Sequence, residues 1–401
     1  MNILVISHMY PSTYNNVAGI FVHEQVKELI KNGYNVKVVS PVPAVFFPLT
    51  SFKKKWREYG EIPKKDIIDG VEVYYPRYIE FPKGFFFASS GVFMFLGIKR
   101  LVDKIYKDFK FDIIHSHVAL PDGYASMLLN KFFNVPHVVT IHGQDLQVTI
   151  NKSLLCKNSL YKVFNNVDKI ITVSSKLMKV IADDFKEKIE VIGNGINIEE
   201  IIECENMCLY QKNEDNDVKK ILSVSNLIPS KGIDLNIKAI HMLKSKYPNI
   251  IYYIIGDGEE KENLIKLVES LNLGNNVKFL GRLSHKDVFN IMSQIDIFSL
   301  PSWQEGFGVV YIEAMAQGKP IIAVKGEGIQ DIIEHGKNGF LIERKNYEQI
   351  ANTIDYLLVN PKEAIKIGEE GKKIVIKEYT WEKNVKKTEK IYKKLLNLYG
   401  R

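Results

Sequence analysis

Cysteine is nearly missing from this chain, with three in 401 residues: Cys156, Cys204 and Cys208. So few exclude a disulfide-stapled scaffold and suit a reducing cytosol. Cys204 and Cys208 form a C-x3-C pair, but no histidine or further cysteine clusters near them, so no zinc site is expected. A glycine fingerprint is also missing. A dinucleotide dehydrogenase needs Gly-x-Gly-x-x-Gly after its first strand, whereas here the run at 3–7 leads into a long loop, His8-Met9-Tyr10-Pro11 onward, whose one glycine is Gly19. No hydrophobic run reaches the roughly 20 residues that cross a bilayer. The apolar stretch 84–97 is too short and reads as a buried helix or an interfacial patch. Repeats and low-complexity segments are absent. The start of the chain has no basic region and enters a strand pattern at once, so no signal peptide is expected.

The composition present is that of a globular protein, 46% hydrophobic and 25% charged. A chain of 401 residues exceeds one ordinary core, which points to two domains. The net charge of +7 lies wholly in the first half: residues 1–195 hold 25 Lys and Arg against 18 Asp and Glu, and 196–401 hold 29 against 29. The basic run 53–57 follows an apolar stretch at 45–49. Basic and aromatic surface without a nucleic-acid motif favours anionic lipid headgroups, so peripheral contact with an anionic membrane is expected and nucleic acid is not.

Short apolar, β-branched runs alternate with longer amphipathic ones. Strands are expected at 3–7, 36–40, 71–75, 113–117, 137–141, 169–173 and 189–192, then at 221–224, 250–255, 277–280, 295–300 and 321–324. A helix is expected over 21–32, stopped by Gly33. This alternation predicts an α/β fold of two doubly wound, Rossmann-like domains facing across a cleft. The turn Asn194-Gly195-Ile196-Asn197 and the polar run 211–217 place the break, giving domains at 1–195 and 196–380 and a Lys-rich C-terminal helix at 381–401 that packs back on the first. Ligands of such sheets sit at the carboxyl ends of the strands.

Several segments there could carry chemistry. Gly19 at a helix start can let backbone amides approach a phosphate. His115 and His117 close one strand, and His142-Gly143-Gln144-Asp145 follows the next, where His142 and Asp145 could bind sugar or acceptor hydroxyls. Asn226 and Lys231-Gly232 follow the first strand of the second half, and a Lys beside a Gly at a helix start suits an anion. Gly256-Asp257-Gly258 ends the next strand. The most informative segment runs from Pro301 to Pro320. Glu305 lies in its loop and Glu313 on the helix that opens near Gly308, eight residues on, just over two turns. Gly306 and Gly308 clear side chains from the amides at that helix start. The same Glu-x7-Glu spacing at 72–80 and 370–378 lacks these glycines.

The segment resembles the Glu-x7-Glu signature of the retaining glycosyltransferases of group 1, or family 4, with the two-domain GT-B fold. The likeness extends along nearly the whole chain, through the Gly19 loop, His115-Ser116-His117, Thr140-Ile141-His142-Gly143, Asn194-Gly195, Lys231-Gly232, Gly256-Asp257-Gly258 and Gly326-Glu327-Gly328. The opening is similar to enzymes that build surface polysaccharides, the teichuronic-acid type among them. The resemblance implies that Glu305 contacts donor sugar hydroxyls and Glu313 the ribose. It places amides from Gly306 through Phe307, Gly308, Val309 and Val310 on sugar and phosphate, and Lys231 on the leaving diphosphate. Gly19 would close on the phosphates, His142 would lie near the anomeric carbon, and Arg282 and Leu283 would border the base. The resemblance makes the domain at 1–195 the acceptor side, on which His117 and Asp145 fall, and that at 196–380 the nucleotide-sugar side. Two departures stand out: Asn226 replaces a frequent Arg, and Gly19-Ile20 replaces a frequent Gly-Gly.

The implied activity is hexosyl transfer, without metal or cofactor, from a nucleoside diphosphate sugar to a glycan or a polyprenyl-diphosphate-linked acceptor at the inner face of the cell membrane. A sugar-nucleotide epimerase on the same architecture, or a non-catalytic sugar-nucleotide-binding subunit, are the alternatives.

Overall fold

The computed structural model describes residues 1–45, 54–81, 84–208 and 218–400, without the side chains of 54–56 and 204–208. The expected apolar stretch 45–49, most of the basic run 53–57, the polar run 211–217 and the thiols of Cys204 and Cys208 therefore fall outside the described residues. The described chain divides into two compact units, Met1–Gly195 with Trp381–Arg401, and Ile196–Thr380.

Unit 1 is built on the sheet β10-β9-β8-β7-β1-β2-β5-β4. Its strands are β1 (Asn2–Ile6), β2 (Asn35–Val39), β4 (Lys65–Ile68), β5 (Val71–Tyr74), β7 (Ile113–His117), β8 (His137–Ile141), β9 (Lys169–Thr172) and β10 (Ile189–Val191). A separate short pair joins β3 (Val42–Pro43) to β6 (Arg77–Tyr78). All pairings are parallel except β4 with β5. The interior strands β7 and β8 are buried at every position, as a sheet covered on both faces requires. Unit 2 carries the sheet β13-β12-β11-β14-β15-β16. Its strands are β11 (Lys219–Val224), β12 (Ile250–Ile255), β13 (Val277–Gly281), β14 (Ile297–Ser299), β15 (Ile321–Val324) and β16 (Phe340–Ile342), all parallel.

The helices that position the site are α1 (Ile20–Lys31), α2 (Ser90–Asp108), α3 (Leu154–Asn166), α4 (Ile233–Leu243), α5 (His285–Ser293), α6 (Val309–Ala316) and α7 (Trp381–Leu398). Gly33 ends α1 at φ +85°, a conformation open to glycine without strain. The stretch 84–97 resolves its two readings by position. Met94 on α2 is buried, while Phe85 and Phe86 before it and Leu96 on it are exposed. In unit 1, α7 lies on α1, with Gln25 Nε2 donating to Asn384 Oδ1 at 2.6 Å.

Candidate active site

In unit 2 the carboxyl end of β11 turns through Asn226 and Leu227 to Lys231. Gly232 then opens α4 at φ +67°. A Cβ on Gly232 would meet the Pro301 carbonyl oxygen at 2.5 Å, so only glycine lets the loops after β11 and β14 touch. The Trp303 amide donates to the Ser230 carbonyl at 2.9 Å across that contact. The same approach brings Lys231 Nζ to 2.5 Å from Glu305 Oε1, both largely buried. The Glu305 amide donates to Glu327 Oε2 at 2.7 Å. Glu327 is buried, and its neighbour Gly328 lies where a Cβ would meet the Gly306 oxygen at 2.2 Å. Sequence reading gave Glu327 no role, although its Gly-Glu-Gly setting marks the tight packing.

Gly308 begins α6 at φ +89°, and a Cβ there would strike the Tyr311 ring at 2.5 Å. Tyr311 is anchored beneath by its hydroxyl, which donates to the Leu300 carbonyl at 2.6 Å. The amides of Val309 and Val310 stand at the helix start, where no earlier helical carbonyl can pair with them and the helix dipole is positive. Phe307 is buried. Glu313, further along α6, lies 3.0 Å from His285 Nε2, and His285 Nδ1 lies 3.3 Å from Glu200 Oε2. These two carboxylates, Glu200 first, hold the His285 imidazole protonated, with its pKa raised to about 10. Glu305 and Glu313 thus belong to two separate clusters. Nothing in the spacing forecast His285 or Glu200, which come from elements remote in sequence. Gly256 sits at φ +134°, where a Cβ would meet the Ser225 oxygen at 1.8 Å. Asn226 and Arg282 are exposed and Leu283 is half-buried.

In unit 1, Gly19 opens α1 at φ +63°, with its Cβ position 2.1 Å from the Met9 oxygen. Glycine is required here for the loop to fold against itself. A row of imidazoles lies at the ends of β7 and β8. The Tyr392 hydroxyl on α7 is 2.6 Å from His115 Nδ1, and His115 Nε2 is 2.7 Å from Thr140 Oγ1. His117 Nδ1 is 3.0 Å from His142 Nε2, and the His142 ring packs on Phe21 of α1, centroids 4.4 Å apart. Burial lowers the pKa of His115 and His142 to about 3 and holds that of His117 well below its ordinary value, so the row is neutral.

His117 and Asp145, expected to meet acceptor, are buried. Asp145 does not pair with His142. Its carboxylate accepts from the Ala119 amide at 2.8 Å and the Leu120 amide at 3.3 Å. Those bonds brace Val118, a β-branched residue at φ +67°, which is a strained conformation kept where surroundings over-determine it. Burial raises the Asp145 pKa to about 7. Among the described residues no group of three or more His, Cys, Asp or Glu could hold a metal, and no helix is long and apolar enough to cross a membrane.

These features can be set beside known proteins. The family model of glycosyltransferase family 4 matches residues 18–200, and that of glycosyl transferases group 1 matches 210–374. An uncharacterized glycosyltransferase of Methanocaldococcus jannaschii is 32% identical over 76% of this chain and 82% of its own length. The chain belongs to the group 1, family 4 glycosyltransferases. TuaC of Bacillus subtilis, a candidate teichuronic acid biosynthesis glycosyltransferase, is 27% identical over 88% of both chains. Among solved structures, sucrose-phosphate synthase from Thermosynechococcus elongatus superposes with a TM-score of 0.81 at 19% identity, covering 99% of this chain and 100% of that one. Anabaena HepE in complex with UDP gives 0.74 at 19% identity, covering 98% and 100%. The fold of this glycosyltransferase is therefore GT-B.

Proposed function

We propose that this glycosyltransferase moves a hexose, with retention of configuration, from a nucleoside diphosphate sugar to a glycan or lipid-linked acceptor in cell-surface polysaccharide synthesis. The observation that carries this reading is the Lys231–Glu305 pair beside the start of α6. Lys231 and the amides of Val309 and Val310 receive the charge that develops on the departing diphosphate, a preorganised field that requires no bound metal. Glu305 takes donor sugar hydroxyls and Glu313 the ribose. With an Asn at 226, Lys231 carries the cationic task with Arg282 as its candidate helper. The acceptor oxygen bonds to the anomeric carbon on the face from which the phosphate oxygen leaves. The C1–O(phosphate) bond breaks, and the acceptor proton passes to the nucleoside diphosphate.

A thermal-shift screen of nucleotide sugars identifies the donor, because a ligand bound only to the native state stabilises it by mass action. NMR of the anomeric proton of the product then reads retention; an inverted product refutes that part of the reading.

The acceptor side of the proposal includes peripheral contact with an anionic membrane at the inner face of the cell. Phe85, Phe86, Leu154 and Leu155 are each exposed, and the short helical turn Phe87–Ser89 contacts α3. Lys152 Nζ lies 4.6 Å over the Phe87 ring. Aromatic and aliphatic side chains beside a cation suit a headgroup boundary. Sedimentation with phosphatidylglycerol vesicles should weaken with salt and with Phe86→Ser plus Leu155→Ser; binding indifferent to both removes the membrane.

A further inference from the structure

A cavity of about 160 Å³ opens in unit 1 beyond the carboxyl ends of β1 and β2. His8, Tyr59, Tyr78, Glu80, Phe87 and Ser90 line it, and of these only Phe87, whose ring also lies under Lys152, has a role in the reading above. Its polar groups are held firmly. His8 Nδ1 lies 2.6 Å from Asp122 Oδ2, and the His8 amide donates to Asp122 Oδ1 at 3.0 Å. Asp122 is fully buried, so the imidazole is fixed from behind and Nε2 is its remaining polar atom. The Tyr78 hydroxyl donates to Glu80 Oε2 at 3.0 Å. Ser90 is 7% exposed and its Oγ has no hydrogen-bond partner among the described residues. A buried hydroxyl left unpaired costs free energy that a ligand hydroxyl would recover.

The rings of Tyr59, Tyr78 and Phe87 share the lining with these groups. Aromatic rings together with a carboxylate, an imidazole and hydroxyls match a sugar ring with a C–H face and a hydroxyl edge. The volume falls below the roughly 300–1,000 Å³ of pockets for drug-sized ligands, which suits one ring rather than an extended chain. No Lys or Arg is among the described lining residues; Glu80 is acidic, and Asp122 behind His8 is paired with that imidazole, whose pKa it raises against the opposing effect of burial. An anionic ligand would meet the like charge of Glu80.

We propose that this cavity is the subsite for the terminal sugar ring of the acceptor and that it selects a neutral pyranose over a uronic acid or a sugar phosphate. The proposal rests on the reading of a glycan acceptor and adds its chemical class. Glu80 and Ser90 bond ring hydroxyls, and His8, positioned by Asp122, bonds a third.

The test is saturation-transfer NMR on the full chain with the methyl pyranosides of glucose, galactose, mannose and N-acetylglucosamine, and with methyl glucuronide. At least one neutral glycoside should receive saturation. The signal should fall at least fivefold in Glu80→Ala and in Ser90→Ala, with the Tm of each variant reporting its fold. Methyl glucuronide should bind at least tenfold more weakly than the best neutral ring. Absence of any neutral binder, a tighter glucuronide, or binding that survives both substitutions overturns the proposal. The wild-type thermal-shift screen separates the two levels. A nucleotide sugar that stabilises the chain while no glycoside binds removes this subsite alone. A screen in which neither binds removes the wider reading.

Discussion

The two strand-end faces of this glycosyltransferase are built from opposite materials. Unit 2 presents full charges in pairs, Lys231 with Glu305 and His285 with Glu313 and Glu200. Unit 1 presents neutral imidazoles stacked beneath His142, with the Asp145 carboxyl turned inward to hold backbone, and keeps one ionic pair apart from that row, His8 with Asp122. The difference follows from what each must hold under the proposed reaction. A diphosphate gains charge as it leaves and needs a fixed cation. An acceptor hydroxyl is neutral and is best met by groups that can donate or accept without a large desolvation cost.

The sharpest way to break this contrast is at Lys231. In Lys231→Ala the leaving diphosphate loses its cation, and kcat should fall about 10²–10³-fold, as for loss of one oxyanion donor. Glu305→Ala should cost a similar factor. Because the pair is largely buried, each variant leaves a partly stranded charge and should also lower Tm. The double variant Lys231→Met/Glu305→Leu restores much of the stability and none of the activity. Single-variant losses below about tenfold, roughly 1.4 kcal/mol, would remove both assigned roles.

Acid should separate the two faces next. His115, His117 and His137 are buried with pKa values depressed by desolvation, to about 3 for His115 and His137. The unfolded chain protonates them near 6.5 and the fold does not, so stability falls as pH drops below 6.5. Asp145 opposes this, since its raised pKa of about 7 lets the fold hold a proton that the unfolded chain releases. With His142, also lowered to about 3, four imidazoles outweigh the raised carboxyls of Asp145 and Asp122, so the net effect is a loss of stability as pH falls from about 6.5 towards 4. His285 has the reverse sign. Its pKa of about 10 gives stability that is complete below 6.5 and declines as pH rises towards 10. Hydrogen exchange resolved by segment should therefore show β7 and β8 deprotected at pH 5, and the start of α5 deprotected at pH 9 to 10. Equal acid sensitivity in both units would contradict the neutral row.

A smaller effect belongs to the ribose end. Glu313→Gln keeps the shape and drops the charge, and the donor KM should rise about tenfold with kcat little changed, the pattern of lost uniform binding. His285→Gln should raise it less, since it acts only by positioning Glu313. A fall in kcat without a change in KM would move Glu313 from ribose to the reacting centre.

The larger strands were legible because each is a short apolar run between turn signals, and β1, β7, β8, β12 and β15 fall within a residue of their expected limits. The strand β4 was not. Its sequence Lys-Asp-Ile-Ile lies at the sheet edge with alternate residues exposed, so it lacks the continuous burial that marked the others. The strands β3 and β6 are two residues long, below any periodicity. In the site, glycines at positive φ beside a strand end were readable from sequence. The partners of charged groups were not, because pairing across a fold leaves no spacing. Asp145 shows the limit: its place after a strand suggested contact with ligand, and its carboxylate instead braces Val118.

Another contact between residues far apart in the chain gives the mildest prediction. Tyr392 and His115 are 277 residues apart, and the hydroxyl of one meets Nδ1 of the other in a fully buried setting. The bond ties α7 to the foot of the imidazole row. Tyr392→Phe keeps the ring, which packs edge-on against His115 with centroids 5.8 Å apart, and removes only the hydroxyl. One buried ring nitrogen is then unpaired, at a cost of about 1–3 kcal/mol. The loss should appear as a lower Tm with donor KM unchanged, because the proposed donor face belongs to unit 2. If His142 takes its orientation through His117 from this foot, acceptor KM should rise by a factor of about two to three while donor hydrolysis without acceptor stays constant. A fall in donor hydrolysis instead would mean that the row serves the leaving group, and the division of labour between the two faces would have to be redrawn.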